Sequence, residues 1–380
     1  MISPKCALCD VEITQENDSK EHVIPNAIGG RKKVKGFICG GCNNAAGDDW
    51  ESELASQLNP LSLFFGISRE RGEPPSQLFE TTGGDKVTLK ADGSMGIEKP
   101  LYSESPLGSG AGVKIQIRAR SMPEAKRMLQ GVKRKYPKVD LDELLDNAKP
   151  ESSYCPDMLH FNFSFGGHEA GRSIVKSALA LAVSSGISAE KCTEATNYLR
   201  NDEAEACFGY FYEKDLVKNR PKGVPLHCVS IKGCSKTKQV IGYVEYFGVQ
   251  RVVLCLAGSY EGKDVSGTYA INPITGEELD LLVDLNLSSS EIREAYDYKK
   301  IPNGSVEAAF GEVISAGVKA SFEKEKDRVL NEAVKHAFEN CGAKEGEMLM
   351  PEHVDKLAGL VMEKLESFIL HQFTQSRKPR

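Results

Sequence analysis

The sequence lacks any long apolar run. Its 380 residues contain no stretch of about 18 apolar residues, which is the length that a membrane-spanning helix needs. The longest apolar stretch, IVKSALALAV (174–183), is interrupted by Lys176 and Ser177. The first residues, MISPKCALCD, carry no charged-then-apolar leader of the kind that directs secretion. These absences predict a cytoplasmic protein that has no membrane partner.

An excess of positive charge is also absent. The chain has 48 Lys and Arg residues against 54 Asp and Glu residues, so its formal net charge is −6. A nucleic-acid partner would therefore have to meet a local basic patch rather than the whole surface. The glycines of GGHEAGRSIVK (166–176) match neither a Walker nor a dinucleotide fingerprint, and the sequence contains no internal repeat.

Cysteine is present but unevenly placed. Of the 11 cysteines, four form the pairs CALC (6–9) and CGGC (39–42), and seven are scattered. In a reducing cytosol the scattered cysteines are expected to be small buried apolar side chains. The paired residues Cys6, Cys9, Cys39 and Cys42 predict one tetrahedral Zn²⁺ site. Because four thiolates leave no open coordination position, this zinc should stabilise the fold and take no part in catalysis.

The stretch EHVIPNAIGG (21–30) lies between the cysteine pairs. Val23 and Ile24 predict a strand, the glycines a loop, and GGRKKVKGFICGGC a second short strand and the second cysteine turn. Residues 44–58 repeat apolar side chains every four positions and predict a helix. The predicted order is strand, loop, strand, helix, with Glu21 and His22 on the first strand and Asn43 where the helix begins.

EHVIPNAIGG followed by CGGCNNAAG resembles the HNH endonuclease family, in the branch whose ββα-metal fold is flanked by a four-cysteine zinc site. The resemblance covers residues 4–58 only. It implies that His22 is a general base for phosphodiester hydrolysis. It also implies that Glu21 and Asn43 hold one catalytic Mg²⁺ or Mn²⁺, separate from the zinc. Adjacent strand residues point to opposite faces, so Glu21 and His22 act together only if the backbone bends or Glu21 reaches round.

The sequence departs from the family pattern at two places. The middle Asn of the family is missing from KVKGFI (33–38), and Asn26 is a candidate to orient His22 in its stead. The last His of the family is replaced by Asn43, whose amide oxygen favours a hard ion such as Mg²⁺ over Zn²⁺. Glu51 is a candidate acid behind the site, with a solvated or salt-bridged role as the alternative.

Two further groups of cations have both a functional and a neutral interpretation. Arg31, Lys32, Lys33 and Lys35 lie on the loop between the two predicted strands and could follow the phosphate backbone of DNA. A solvated turn is the alternative. In GGHEAGRSIVK (166–176), His168, Arg172 and Lys176 are spaced four apart on one helical face that could bind phosphate or a nucleotide. A solvated polar face is the commoner role of such a set.

The chain divides by composition into three segments. We expect an HNH endonuclease domain at 1–58 and a linker region with a β-hairpin and a basic helix at 59–150. The third segment, 151–380, is expected to be a domain for recognition, regulation or dimerisation. A strand is predicted at LHFNFSF (159–165), and two long helices at 305–340 and 351–375. The mixture of antiparallel hairpins and helices predicts the α+β class. The apolar stripes of the long helices fit core packing or a homodimer.

The function predicted from these features is metal-dependent endonuclease activity on DNA, targeted or gated by the C-terminal region. By analogy with proteins of similar layout, we expect a role in bacterial restriction or antiviral defence, with a small-molecule or nucleotide activator as a candidate partner. The alternatives are a non-catalytic zinc-bound module that binds nucleic acid, and a ribonuclease.

Overall fold

The computed structural model describes residues 4–106, 112–146, 148, 153–344 and 346–376. They form two compact units, each assembled from separate stretches of the chain. The first unit contains the described parts of Met1–Ser76, Lys90–Gly93 and Asn162–Lys319. The second contains the described parts of Gln77–Leu89, Ser94–Phe161 and Ala320–Arg380. The division at residues 58 and 150 rests on the sequence alone and stays a prediction.

The described residues contain both strands and helices throughout. The strands are β1 (Glu21–His22), β2 (Lys33–Val34), β3 (Gln77–Thr81), β4 (Lys86–Leu89), β5 (Met95–Ile97), β6 (Leu101–Pro106), β7 (Val113–Arg118), β8 (Leu159–His160), β9 (Phe208–Tyr210), β10 (His227–Cys234), β11 (Gln239–Tyr246), β12 (Gln250–Ala257) and β13 (Val265–Ile271). The helices are α1 (Gly40–Ala46), α2 (Ser52–Phe65), α3 (Met122–Lys135), α4 (Leu141–Asp146), α5 (His168–Ser184), α6 (Thr193–Arg200), α7 (Ser289–Tyr296), α8 (Ser305–Asn340) and α9 (Pro351–Ser376). The predicted α+β class is confirmed.

The head, residues 4–66, begins the first unit. β1 and β2 pair antiparallel, with Glu21 opposite Val34 and His22 opposite Lys33. The helix predicted at 44–58 is confirmed as part of a continuous helical stretch, formed by α1, the π-helical turn Gly47–Glu51 and α2. The strand, strand, helix order predicted from the sequence is confirmed.

A five-stranded antiparallel sheet forms the centre of the first unit, in the order β13-β10-β11-β12-β9. Its central strand β11 is buried on both faces. On one face Val240 and Val244 join the core that contains α5, and on the other Ile241 and Tyr243 join a second core that contains α7 residues. A strand covered on both faces needs apolar residues at most positions, which explains why Val240, Ile241, Tyr243, Val244 and Tyr246 are all apolar.

Helix α5 connects the head to this sheet. Every residue from Ala170 to Ala182 is buried. Apolar residues of α5, including Ile174 and Leu179, belong to the same core as Ile28 and Leu54 of the head. The hydrophobic core of the head therefore continues into the sheet region, and this continuity positions the candidate site.

The second unit contains a four-stranded sheet in the order β5-β4-β3-β8 and the separate hairpin β6–β7. The β-hairpin predicted within residues 59–150 corresponds to the β4–β5 pair. The predicted basic helix is α3, whose N-cap Ser121 accepts a hydrogen bond from the Glu124 N–H. Among the described residues, no helix has the length and apolarity that a bilayer crossing requires.

The strand predicted at 159–165 is mostly wrong. Only Leu159 and His160 form a strand, β8, which pairs with β3. Phe163 and Phe165 instead pack on Phe310 of α8, with ring centroids 4.8 and 5.9 Å away. Their alternation serves aromatic packing against a helix, and a pattern of period two does not distinguish that packing from strand pairing.

Candidate active site and zinc site

The four paired cysteines of the head form one cluster. Their sulfur atoms all lie within 4.8 Å of one another, and the Sγ atoms of Cys9 and Cys39 are 3.8 Å apart. A tetrahedral zinc with Zn–S bonds of about 2.3 Å places its sulfurs about 3.8 Å apart. Cys6, Cys9, Cys39 and Cys42 are therefore arranged as a site that could hold zinc.

The backbone around Cys6 favours the zinc-binding form of its thiol. Burial acts to raise the pKa of Cys6, but hydrogen bonds from backbone N–H groups outweigh it and lower the pKa to about 7. One of these donors is the Cys39 N–H, 3.3 Å from the Cys6 Sγ. Because the thiolate is the form that coordinates a metal, these donors prepare Cys6 to act as a ligand.

His22 lines a cavity of about 490 Å³ at the surface of the head. The cavity is lined by Lys20, His22, Asn26, Lys33, Asn43, Glu70 and Arg71. Four of these residues, His22, Asn26, Lys33 and Asn43, were predicted site residues, and the structure brings them together. Lys20, Glu70 and Arg71 were not predicted. Glu70 and Arg71 come from a charged, proline-containing stretch that has no local signal for a partner elsewhere in the chain.

Glu70 is the residue that contacts the His22 imidazole. Its Oε2 lies 3.3 Å from His22 Nε2 and accepts a 2.6 Å hydrogen bond from Lys33 Nζ. Asn26 does not contact the ring in this way. Its Oδ1 accepts a 2.9 Å hydrogen bond from the Glu70 N–H and so holds the backbone that presents the carboxylate. Asn26 thus acts on His22 through Glu70.

The surroundings of His22 favour the neutral form of its imidazole. Burial lowers the pKa of His22, and the nearby Lys33 ammonium lowers it further, while Glu70 partly opposes both effects. When Nε2 donates its proton to Glu70, the other ring nitrogen, Nδ1, keeps a free lone pair. A neutral ring with a free nitrogen can accept a proton.

The glycine pair of EHVIPNAIGG shapes the loop that follows His22. Gly29 has a left-handed φ of 96° and ends the 3₁₀ turn Asn26–Ile28. A Cβ atom at Gly30 would lie 1.8 Å from the carbonyl oxygen of Ile24. Neither position accepts a side chain without moving the backbone, so the pair fixes the path from Asn26 into the basic loop.

Glu21 lies on the opposite side of β1 from His22. It is 2% exposed and does not line the His22 cavity. Its Oε1 accepts a hydrogen bond from the Nζ of Lys176, which also donates to Glu51 Oε1 at 2.5 Å. Burial raises the pKa of Glu21 to about 7, against the effect of the Lys176 ammonium. Strand alternation, which allows neighbouring residues only opposite faces, accounts for this separation.

The divalent ion implied by the family resemblance does not fit Glu21 and Asn43 as they are placed here. Asn43 lines the His22 cavity, whereas the Glu21 carboxylate already pairs with a buried ammonium. A dication beside that ammonium would be repelled in a region of low dielectric. Asn43 lines the cavity on the His22 side, and Glu21 does not.

The predicted cation face of α5 packs against the head. The guanidinium of Arg172 lies over the Trp50 ring, 5.2 Å from its centroid, and pairs with Asp202 at 2.6 Å. Lys176 is fully buried, and the Nδ1 of His168 lies 3.3 Å from Glu169. Arg172 and Lys176 therefore face protein and not solvent. The sequence held one signal for this, since Lys176 interrupts an apolar run and a charge buried in such a run needs a charged partner.

The basic loop is only partly directed at the cavity. Arg31 Nη2 donates to the Ser68 carbonyl at 3.0 Å, and the Lys32 ammonium lies over the Tyr269 ring, 5.3 Å from its centroid. Lys35 is exposed. Of these four loop cations, Lys33 alone lines the His22 cavity.

The comparisons with known proteins bear on the head alone. No curated protein and no solved structure matches the chain. Residues 6–59 match the HNH endonuclease family. The match spans all four cysteines together with Glu21, His22 and Asn43. The resemblance of the head to the HNH endonuclease family, which its motifs predicted, is confirmed over these residues.

Proposed function

We propose that the protein is an endonuclease that hydrolyses phosphodiester bonds of DNA, with His22 as the general base. One observation carries the proposal: the His22 imidazole, whose pKa is lowered by burial, lines a cavity of about 490 Å³ together with the cations Lys20, Lys33 and Arg71. A phosphodiester is an anion whose hydrolysis requires a base for the attacking water, and this cavity offers both a base and positive charge.

In this proposal, each side chain of the cavity has its own role in phosphodiester hydrolysis. Nδ1 of His22 takes the proton of the attacking water, while Glu70 holds the opposite ring nitrogen. Lys20, Lys33 and Arg71 attract the phosphodiester and offset its negative charge. Asn43 offers an amide to the same space. The zinc cluster holds the cysteine turns on which β2 and α1 depend, and it takes no part in the reaction.

A divalent ion, when bound, stabilises the charge on the phosphate and on the leaving oxygen in this family's chemistry. Mg²⁺ or Mn²⁺ would suit oxygen ligands. The resemblance predicted Glu21 and Asn43 as the ligand pair, but this pair does not fit the ion, because the Glu21 carboxylate pairs with the buried Lys176 ammonium. Because Glu21 faces away from the His22 cavity, no step of the proposal is assigned to that pair. The proposal rests on His22, Glu70 and the three cavity cations.

Cleavage of supercoiled plasmid tests the role of His22. The full chain is assayed with Mg²⁺, with Mn²⁺ and with EDTA, and His22→Ala is compared with wild type. Loss of a general base is expected to lower the cleavage rate by about 10²- to 10⁴-fold. His160→Ala is the matched control, because His160 is exposed on β8 and is not among the residues that line the cavity.

The same assay decides between the proposal and its alternatives. Equal cleavage by His22→Ala and wild type would show that His22 is not the base. Wild-type cleavage of RNA but not of DNA would make the protein a ribonuclease. Binding of nucleic acid without cleavage under any ion condition would favour the non-catalytic zinc-bound module. A role in restriction or antiviral defence, a cytoplasmic location, a nucleotide activator and a homodimer stay predictions from the sequence.

A further inference from the structure

Lys176 is the most deeply buried cation that contacts the head. It lies in the middle of α5, is 0% exposed, and its sequence neighbours Val175 and Ser177 are also 0% exposed. Its Nζ donates to Glu21 Oε1 and to Glu51 Oε1. Both carboxylates belong to the head, one on β1 and the other at the end of the π-helical turn Gly47–Glu51.

Because the Lys176 ammonium is buried, its ion pairs with Glu21 and Glu51 are needed for stability. A buried charge without a partner is strongly unfavourable, and breaking a buried ion pair by removing one partner destabilises a protein far more than breaking an exposed pair. Lys176 extends from a helix whose residues Ala170–Ala182 are all buried, so its stem cannot move to solvent unless the core opens. The ammonium therefore stays between Glu21 and Glu51.

Glu21 is also the residue to which the family resemblance assigns a divalent ion. An ion that bound to its carboxylate would lie beside a full positive charge in a region that excludes water, where like charges repel strongly. The carboxylate cannot turn toward His22 instead, because the two residues lie on opposite faces of β1. The cation that Glu21 requires is supplied by the protein itself.

We propose that the Lys176 ammonium is a built-in cation of the head, which takes the place beside Glu21 that a divalent ion would otherwise occupy. Its importance for cleavage rests on the proposed nuclease function, but the ion exclusion itself does not. Any divalent ion that the protein uses then binds on the His22 side of β1. Removing the lysine side-chain charge leaves Glu21 and Glu51 as two unpaired carboxylates, which are oxygen ligands suited to Mn²⁺.

Binding of Mn²⁺ to the full, zinc-loaded chain tests this exclusion, with free Mn²⁺ followed by electron paramagnetic resonance. Glu21→Gln keeps the shape of the side chain and removes its charge. We expect the wild type and Glu21→Gln to bind Mn²⁺ equally. Weakening of the Mn²⁺ affinity by about tenfold or more in Glu21→Gln would overturn the proposal, because it would make Glu21 a ligand in the wild type.

Lys176→Met tests the same idea by gain of binding. This variant is expected to bind Mn²⁺ about tenfold more tightly than wild type, and adding Glu21→Gln to it should abolish the gain. Lys236→Met is the matched control, because Lys236 is exposed between β10 and β11. A folded Lys176→Met protein with unchanged Mn²⁺ affinity would overturn the proposal. If Lys176→Met does not fold, the comparison of wild type with Glu21→Gln still decides.

The measurement separates this inference from the proposed function. Mn²⁺ binding is recorded without nucleic acid, so its outcome is the same whether or not the protein cleaves DNA. The plasmid assay with His22→Ala decides the nuclease proposal by itself. A protein that cleaves DNA through His22 but binds Mn²⁺ through Glu21 would keep the proposed function and lose this inference.

Discussion

His227 ties the loop of the head to the central sheet. Its Nε2 donates to the Ile28 carbonyl at 2.8 Å, and its Nδ1 accepts a 3.0 Å hydrogen bond from the Phe247 N–H. The ring is fully buried, so both nitrogens are satisfied only in the neutral tautomer that carries its proton on Nε2. A second proton on Nδ1 would meet the Phe247 N–H, which is itself a donor.

This arrangement predicts a loss of stability in acid. Burial lowers the pKa of His227 to about 4 from an ordinary 6.5. His227 therefore becomes protonated near pH 6.5 in the unfolded chain, but only near pH 4 in the folded chain. The contribution of neutral His227 to the free energy of unfolding is complete above pH 6.5. It is lost as the pH falls from 6.5 to 4, by about 3 kcal/mol in total.

Urea unfolding of wild type and His227→Gln at pH 7 and pH 4.5 measures this effect. Glutamine removes the titrating group but keeps a donor and an acceptor. We expect the wild type to lose more free energy of unfolding between the two pH values than the variant does, since the other acidic groups contribute equally to both. Equal losses in the two proteins would show that His227 is not the source.

The roles of single site residues were predictable from the sequence where the residues that they contact are close to them in the sequence. The motif around His22 and Asn43 predicted that both residues belong to one site. Strand alternation indicated that the Glu21 side chain lies on the opposite face of β1 from His22. The partner of Glu21, Lys176, lies 155 positions along the chain. Glu70, 48 positions from His22, comes from a stretch that reads as a linker. Neither contact has a local pattern, because both arise from tertiary packing.

At the scale of elements, the head depends on more than its hydrogen bonds. β1 and β2 contain two residues each, and an isolated pair of strands is at best marginally stable in water. The cysteine turns lie before β1 and at the start of α1, so a zinc ion would join the two ends of this small hairpin. Metal binding of this kind is coupled directly to folding.

Loss of the zinc ligands is therefore expected to loosen the head. Cys39→Ser should lower the zinc content of the purified chain from one ion toward zero and increase amide hydrogen exchange across β1, β2 and α1. Zinc analysis and hydrogen-exchange mass spectrometry measure the two effects. Cys234→Ser is the control, because Cys234 ends β10 and is not part of the cluster of four. Unchanged zinc content in Cys39→Ser would contradict the four-cysteine site.

Secondary-structure elements were predictable from the sequence where their apolar pattern has only one structural explanation. The long helices α8 and α9 were predicted from their apolar stripes, at nearly the bounds that the structure gives them. The stretch 159–165 failed because Phe163 and Phe165 alternate in order to pack on Phe310. The π-helical turn that divides the predicted helix at 44–58 places Trp50 under Arg172 and Glu51 beside Lys176. The sequence of the head alone has no information about those partners.

At the scale of the whole molecule, the head and the sheet region share one hydrophobic core. Val23, Ile28 and Leu54 of the head are fully buried, and they belong to the same cluster as Ile174 of α5 and Val244 of β11. The polar contacts of Lys176 and His227 cross the same boundary in the sequence. The domain limit near residue 58 stays a prediction, and residues on both sides of it belong to this one core.

A fragment of residues 1–66 contains every described element of the head. Without α5 and the sheet it would expose apolar side chains that the full chain buries, and it would leave Glu21 and Glu51 without Lys176. We expect its ¹H–¹⁵N spectrum to show poor dispersion even with one equivalent of zinc, because zinc secures the cysteine turns but covers none of the apolar surface. A fragment of 162–319 added in trans should increase the dispersion. A well-dispersed spectrum of 1–66 with zinc alone would instead support an autonomous domain at 1–58 and would contradict the view that α5 completes its core.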